Sequence, residues 1–135
     1  IRSCLVGSEM CIRDSYDAYL LENCESEIID KGGNIFFGKL NGVVIGTYAI
    51  LAPVDGCVEL GKMAITAAHQ GKGYGQQLLD HAISTAVALG HKEMLLYSNR
   101  KLENSIYLYR KFGFNEVPNE DSPYERGDIK MLLKL

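Results

Sequence analysis

No apolar run in the chain approaches the roughly 20 residues that a membrane-spanning helix requires, so no membrane span is expected. A basic excess is missing too. Fourteen Lys and Arg stand against 17 Asp and Glu, a net charge of −3, the wrong sign for a face that grips nucleic acid. The four cysteines, Cys4, Cys11, Cys24 and Cys57, show no C-x-x-C spacing and no histidine partners at metal-ligand distances. That leaves reduced, structurally minor thiols, no metal site, and a cytoplasmic setting. Repeats, low-complexity tracts and linkers are absent as well. The 135 residues therefore read as one domain with one core, and 47% hydrophobic with 23% charged residues is ordinary for a globular protein.

What stands out is Gln70-Gly71-Lys72-Gly73-Tyr74-Gly75. Before it runs a strand-like stretch, Cys57 to Ile65. After it comes an amphipathic helix, Gly75 to Leu89, with Leu78, Leu79, Ala82, Ile83, Ala86 and Leu89 on its apolar face and Gly90 closing it. A glycine loop between strand and helix presents bare N–H groups at a positive helix end, which suits phosphate. A dinucleotide fingerprint needs G-x-G-x-x-G, but Gln76 occupies the third glycine's place, and Glu93 downstream is a weak coincidence. A nucleotide P-loop needs Gly-Lys followed by Ser or Thr, and Gly73 follows Lys72. A plain helix-capping turn would also use glycine.

Gln70, Gly73 and Gly75 do satisfy Q-x-x-G-x-G. Some 35 residues on, Leu102 to Phe114 ends in Leu108-Tyr109-Arg110-Lys111-Phe112-Gly113-Phe114. The first motif resembles the acetyl-CoA diphosphate loop of the GCN5-related N-acetyltransferases (GNAT), and the second resembles that family's late helix and glycine cap. The resemblance covers roughly residues 35–135. It implies a single-domain α/β fold of the GNAT type: a mixed, mostly antiparallel central sheet with flanking helices.

The rest of the chain agrees with that class. Tyr16 to Lys31 has helical spacing and stops at Gly32-Gly33. Two β-rich runs, Ile35 to Leu40 and Val43 to Leu51, flank Asn41-Gly42, a type I′ hairpin signal. Met94 to Tyr97 reads as a short buried strand and Leu102 to Phe112 as a helix capped by Gly113. A brief strand leads into a polar loop, Asn115 to Gly127, with Pro118 and Pro123. Ile129, Met131, Leu133 and Leu135 then alternate in a closing strand. Residues 1–15 (IRSCLVGSEMCIRDS) have no periodicity that continues into the helical run from Tyr16, and they are no secretory leader, since Leu5-Val6-Gly7 is too short a core and Glu9 and Asp14 interrupt. They resemble translated adapter read-through. The domain is thus expected over 16–135, truncated, with the family's first strand missing.

The resemblance also implies chemistry. The diphosphate would be held by main-chain N–H groups over Gly71, Lys72, Gly73, Tyr74, Gly75 and Gln76. Lys72 either adds charge there or is a solvated loop lysine. Pantetheine and acetyl would lie along Met63-Ala64-Ile65, where the family splays two strands. Tyr109 matches the tyrosine that protonates the departing thiolate; a phenol with a pKa near 10 stays protonated at neutral pH. Taken apart from the motif, it is a packed core tyrosine, and Tyr107 lies on another helix face. The glutamate that many relatives carry before the late helix falls near Tyr97 and is missing. Glu59 is the candidate base instead: counted by twos it shares a face with Gly61, Met63 and Ile65, and a carboxylate on an apolar strand needs water or a partner. A salt bridge is its alternative role. The family's CoA-contacting asparagine falls at Leu102, so Asn104 or Asn99 substitutes for it or caps the helix. His69, His81 and His91 have no metal-type partners.

The expected activity is acetyl transfer from acetyl-CoA to the primary amine of a small molecule or peptide by direct attack. Cys57 has no adjacent base to make it a nucleophile. A non-catalytic acyl-CoA-binding module is the alternative, and a phosphotransferase lacks its motifs. Tyr16 to Asp30 and Tyr124 to Arg126 would line the acceptor side. A homodimer is left open.

Overall fold

The computed structural model describes residues 32–41, 43–119 and 127–135. The expected helix over 16–31, the segment 1–15, Gly42 and the loop around Tyr124 to Arg126 lie outside them, as do Cys4, Cys11 and Cys24.

Six strands and two helices follow in the expected order. They are β1 (Asn34–Leu40), β2 (Val43–Ile50), β3 (Cys57–Ile65), α1 (Tyr74–Ala88), β4 (Glu93–Ser98), α2 (Glu103–Lys111), β5 (Asn115–Val117) and β6 (Ile129–Lys134). They make one sheet ordered β1-β2-β3-β4-β6-β5. Only β3 and β4 run parallel; the other neighbours are antiparallel. That is the mixed, mostly antiparallel α/β architecture the motifs implied. The parallel pair needs a crossover, and α1 supplies it.

Alternating burial sets the faces. Tyr48 and Ile50 on β2, Val58 and Leu60 on β3, Met94 and Leu96 on β4, and Ile129 and Met131 on β6 all point into one core with Leu79, Ala82 and Ala86 of α1. Leu108 and Tyr109 of α2 pack against the same core. The β1–β2 turn is the two-residue hairpin expected: Leu40 faces Val43, and Asn41 adopts φ 51°, as a type I′ turn demands. Gly46 lets α1 approach the sheet, since a Cβ there would sit 2.6 Å from Ile65 Cδ1 and 2.9 Å from Leu78 Cδ1.

Both helices end in the same way. At α1, Gly90 N–H donates to Val87 O and His91 N–H to Ala86 O. At α2, Gly113 N–H donates to Arg110 O and Phe114 N–H to Tyr109 O, each at 3.0 Å. These are Schellman caps, which require a left-handed residue after the helix. Gly113 supplies it at φ 101°. The apolar contact that accompanies such a cap is Tyr109 against Phe114, edge to face at 5.9 Å between ring centroids. Phe114 is itself buried in the core. The G-F ending of the late motif therefore fixes the Tyr109 ring.

Two of the histidines have side-chain hydrogen-bond partners. His81 of α1 bonds the buried Tyr48 hydroxyl through Nδ1 at 2.6 Å, and Phe36 stacks on Tyr48 at 4.9 Å. His69 Nδ1 pairs with Thr66 Oγ1 at 2.8 Å.

Gly113→Ala should be costly for two reasons that add. Its φ disfavours any Cβ, and that Cβ would lie 3.2 Å from Leu133 Cδ1. A loss of about 1–3 kcal/mol is expected, read as a fall of several degrees in Tm. Unchanged denaturant unfolding would show that the cap does not hold α2.

Candidate active site

The parallel pairing of β3 and β4 is short. Cys57 faces Glu93, Val58 faces Met94 and Glu59 faces Leu95, and there the ladder stops. Yet β3 runs on to Ile65 and β4 to Ser98. From Leu60 onward, the β4-facing edge of β3 has no ladder partner among the described residues, while β2 still pairs the opposite edge as far as Ile65. The two strands thus open a wedge with main-chain donors and acceptors on its wall. Sequence could not display this splay.

A bulge sits on that wall. Thr47 pairs with Ala64 and Ala49 with Gly61, so two steps on β2 match three on β3. Lys62 takes φ 55° to absorb the extra residue. The count by twos from Glu59 therefore fails: one inserted residue reverses every later side chain. Met63 packs against the helix-side core, and Ile65 lies against α1 near Leu78. Glu59, between the buried Val58 and Leu60, is on the other face and does not share one with Met63 and Ile65. It is half-buried at the wedge's closed end.

The glycine loop follows directly. Gln70 Nε2 donates to Ile65 O at 3.0 Å, tying the loop back to the end of β3. Gly73 caps α1 at φ 85° with no side-chain hydrogen bond. Gln77 N–H is the first to find a helical carbonyl, Gly73 O at 3.2 Å; the N–H groups of residues 71–76 have no main-chain acceptor among the described residues. A Cβ placed at Gly71, Gly73 or Gly75 would meet no atom within 4 Å. Packing therefore does not explain these glycines, but the left-handed φ of Gly71 and Gly73 does. Lys72 is exposed. Lys111 Nζ reaches Gln76 Oε1 at 3.5 Å, joining the end of α2 to the first turn of α1. Sequence reasoning missed this link; its only signal was the lysine two places after Tyr109.

Tyr109 lies on the helix side of the sheet, and burial raises its phenol above the usual value with no hydrogen-bond partner contributing. It therefore stays protonated well past neutrality. Tyr107 is 71% exposed, on a separate helix face as expected. Cys57 is a half-buried free thiol; burial first, then Glu93, raise its pKa against an opposing effect of Lys130. Such a thiol is a poor nucleophile. Asn104 is exposed on the first turn of α2, and Asn99 Oδ1 accepts from Lys101 N–H at 2.9 Å. Neither caps the helix, because Leu102 is the cap residue and makes no side-chain bond. Among the described residues no group of His, Cys, Asp and Glu could hold a metal, and no described helix is long and apolar enough to cross a membrane.

Comparison with known proteins bears on this geometry. A family model described as the acetyltransferase (GNAT) family matches residues 7–114. An uncharacterized N-acetyltransferase of Bacillus subtilis, YvbK, is 28% identical over 102 residues, covering 73% of this chain and 66% of the relative. This chain thus spans just under two thirds of that relative's length. A GNAT acetyltransferase from Staphylococcus aureus Mu50 superposes with a TM-score of 0.80 at 23% identity, over 94% of this chain and 84% of the other. A GNAT acetyltransferase from Elizabethkingia anophelis, solved with acetyl-CoA bound, gives 0.66 at 27% identity, over 90% and 91%.

Proposed function

The chain belongs to the GNAT family of acetyltransferases, and we propose from that premise that it moves an acetyl group from acetyl-CoA to a primary amine by direct attack. One observation carries the reading: the β3–β4 wedge opens immediately before a loop of unpartnered N–H groups at the start of α1. A thioester cofactor with a diphosphate at one end and amides along its arm matches both parts. The diphosphate takes the N–H groups of residues 71–76, where helix dipole and donors act together. The pantetheine arm takes the open main-chain edge of Met63, Ala64 and Ile65, as an added strand would. The Elizabethkingia relative, bound to acetyl-CoA, supports that cosubstrate.

In the reaction the amine nitrogen bonds to the thioester carbon and the carbon–sulfur bond breaks. Tyr109 supplies the proton that the leaving thiolate takes. Glu59 receives the proton the amine sheds, directly or through one water. The two groups start on opposite faces of the sheet, so the reacting carbon in the wedge is approached by acid from the helix side and by amine from the other. Cys57 takes no part.

Gly75 gives the cleanest test of the loop. Unlike Gly71 and Gly73 it has no positive φ, and its surroundings are open. Gly75→Asp adds a carboxylate to the first turn of α1, which by itself favours the helix by about 0.3–1 kcal/mol. Tm should hold or rise while calorimetry shows CoA binding lost. Binding at wild-type strength would remove the diphosphate from this loop.

For the acid, Tyr109→Phe keeps the ring against Phe114 and removes only the proton. We expect kcat to fall on the order of 10²-fold with CoA affinity little changed. Normal turnover would place the acid elsewhere.

Glu59→Gln should slow the reaction most at low pH, where the amine is cationic, and less as pH passes the amine's own pKa. A pH–rate profile the same as wild type would leave water as the base.

A further inference from the structure

Strand β5 begins just after the cap that ends α2, and the chain there holds the helix in two ways. Phe114 enters the core and meets the Tyr109 ring. Two residues on, Glu116 stands opposite the buried Met131 of β6, which puts it on the helix side of the sheet. Its carboxylate meets guanidinium groups from both ends of α2. Arg100, in the loop before the helix, donates through Nη1 to Oε1 at 3.3 Å and through Nη2 to Oε2. Arg110, in the last turn, brings Nη2 to 3.7 Å from Oε1. The main chain of Arg100 is fixed too, its N–H donating to Asp128 Oδ1 at 2.8 Å just before β6.

An isolated exposed ion pair contributes little, but this bridge differs from one in two respects. The Arg100 contact is bidentate, a geometry that fixes direction as well as distance. The same carboxylate also serves two cations, so its loss would leave two guanidinium groups repelling each other across the place it filled. The hydrogen bonds from Arg100 hold the Glu116 carboxyl below the usual carboxylate range, so the bridge is charged at neutral pH. Tyr109 directly precedes Arg110 in the helix. Phe114 fixes the edge of its ring, and the seat of α2 on the sheet fixes where that ring stands. We propose that Glu116 is a positioning residue for acetyl transfer: through Arg100 and Arg110 it holds both ends of α2 to the sheet edge, and so sets the approach of the Tyr109 hydroxyl to the leaving sulfur. The inference rests on the proton-donor role given to Tyr109 above and adds the residue that aims it.

Glu116→Gln keeps the shape of the side chain and removes its charge. With thiol release from acetyl-CoA as readout, kcat should fall on the order of tenfold, as it does when a reacting group is slightly misplaced. Calorimetry should show CoA affinity little changed, because the glycine loop belongs to α1. The deciding measurement repeats the substitution in the Tyr109→Phe background. There it should change kcat by less than about twofold, since the group it aims is already gone. A general loosening of the fold would instead lower kcat in both backgrounds alike. An equal fall in the two backgrounds, or wild-type kcat in Glu116→Gln, overturns the positioning role and leaves Tyr109 as the donor. Normal turnover by Tyr109→Phe alone overturns the donor, and the role of Glu116 falls with it.

Discussion

A sheet that stops pairing halfway along two central strands has to account for the main-chain groups it leaves bare, and this constraint organises the molecule. Buried N–H and C=O groups without partners each cost on the order of 1–3 kcal/mol. β3 and β4 pair over three residues and then part, yet each strand stays extended because its outer edge is engaged. β2 pairs with β3 out to Gly46 and Ile65, and β6 pairs with all of β4 from Glu93 to Ser98. The opening is therefore a gap between two intact half-sheets, closed at one end by the Cys57–Glu59 ladder. A ligand with amides along its length can supply the missing partners, and the exposed polar edge becomes binding energy.

The bulge at Lys62 serves the same opening. Without it, β3 would keep strict alternation, and Met63 and Ile65 would fall on the face of Glu59. With it, the strand carries a carboxylate on one face and an apolar lining on the helix side within a few residues. Left-handed backbone at a lysine costs roughly 1–2 kcal/mol, and Lys62 holds that strain at φ 55° where the extra residue enters the strand. The glycine loop then begins where β3 ends, held there by the Gln70–Ile65 bond. Wedge and glycine loop are thus adjacent because one strand leads from one into the other.

Much of this was legible in the residues. The Q-x-x-G-x-G loop, the Asn41-Gly42 hairpin and the Gly113-Phe114 cap each state their backbone conformation locally: a helix start with bare donors, a primed turn, a left-handed stop. Strand β3 matched its expected bounds, Cys57 to Ile65. What failed depended on long-range register. The bulge cannot be seen in β3 alone, since it arises from the mismatch between Thr47–Ala49 and Gly61–Ala64. His81 looked unpartnered for the same reason: its hydroxyl partner, Tyr48, lies 33 residues away. Asn99 and Asn104 looked like caps, but Asn99 spends its side chain on the loop turn at Lys101 and leaves Leu102 at the helix start.

The cap at α2 connects stability to chemistry. Tyr109 is the third residue from the helix end and Phe114 the second beyond it, which are the two positions whose side chains meet in a Schellman closure. The ring is therefore fixed by how the helix stops, not by a hydrogen bond to its hydroxyl. That arrangement leaves the phenol hydrogen available while burial keeps it attached. Had the hydroxyl itself been the anchor, as it is for Tyr48 against His81, its hydrogen bonding would be committed to the fold. A tyrosine held by its ring edge is positioned without being used up. The glycine and phenylalanine after the helix thus set where the Tyr109 phenol stands.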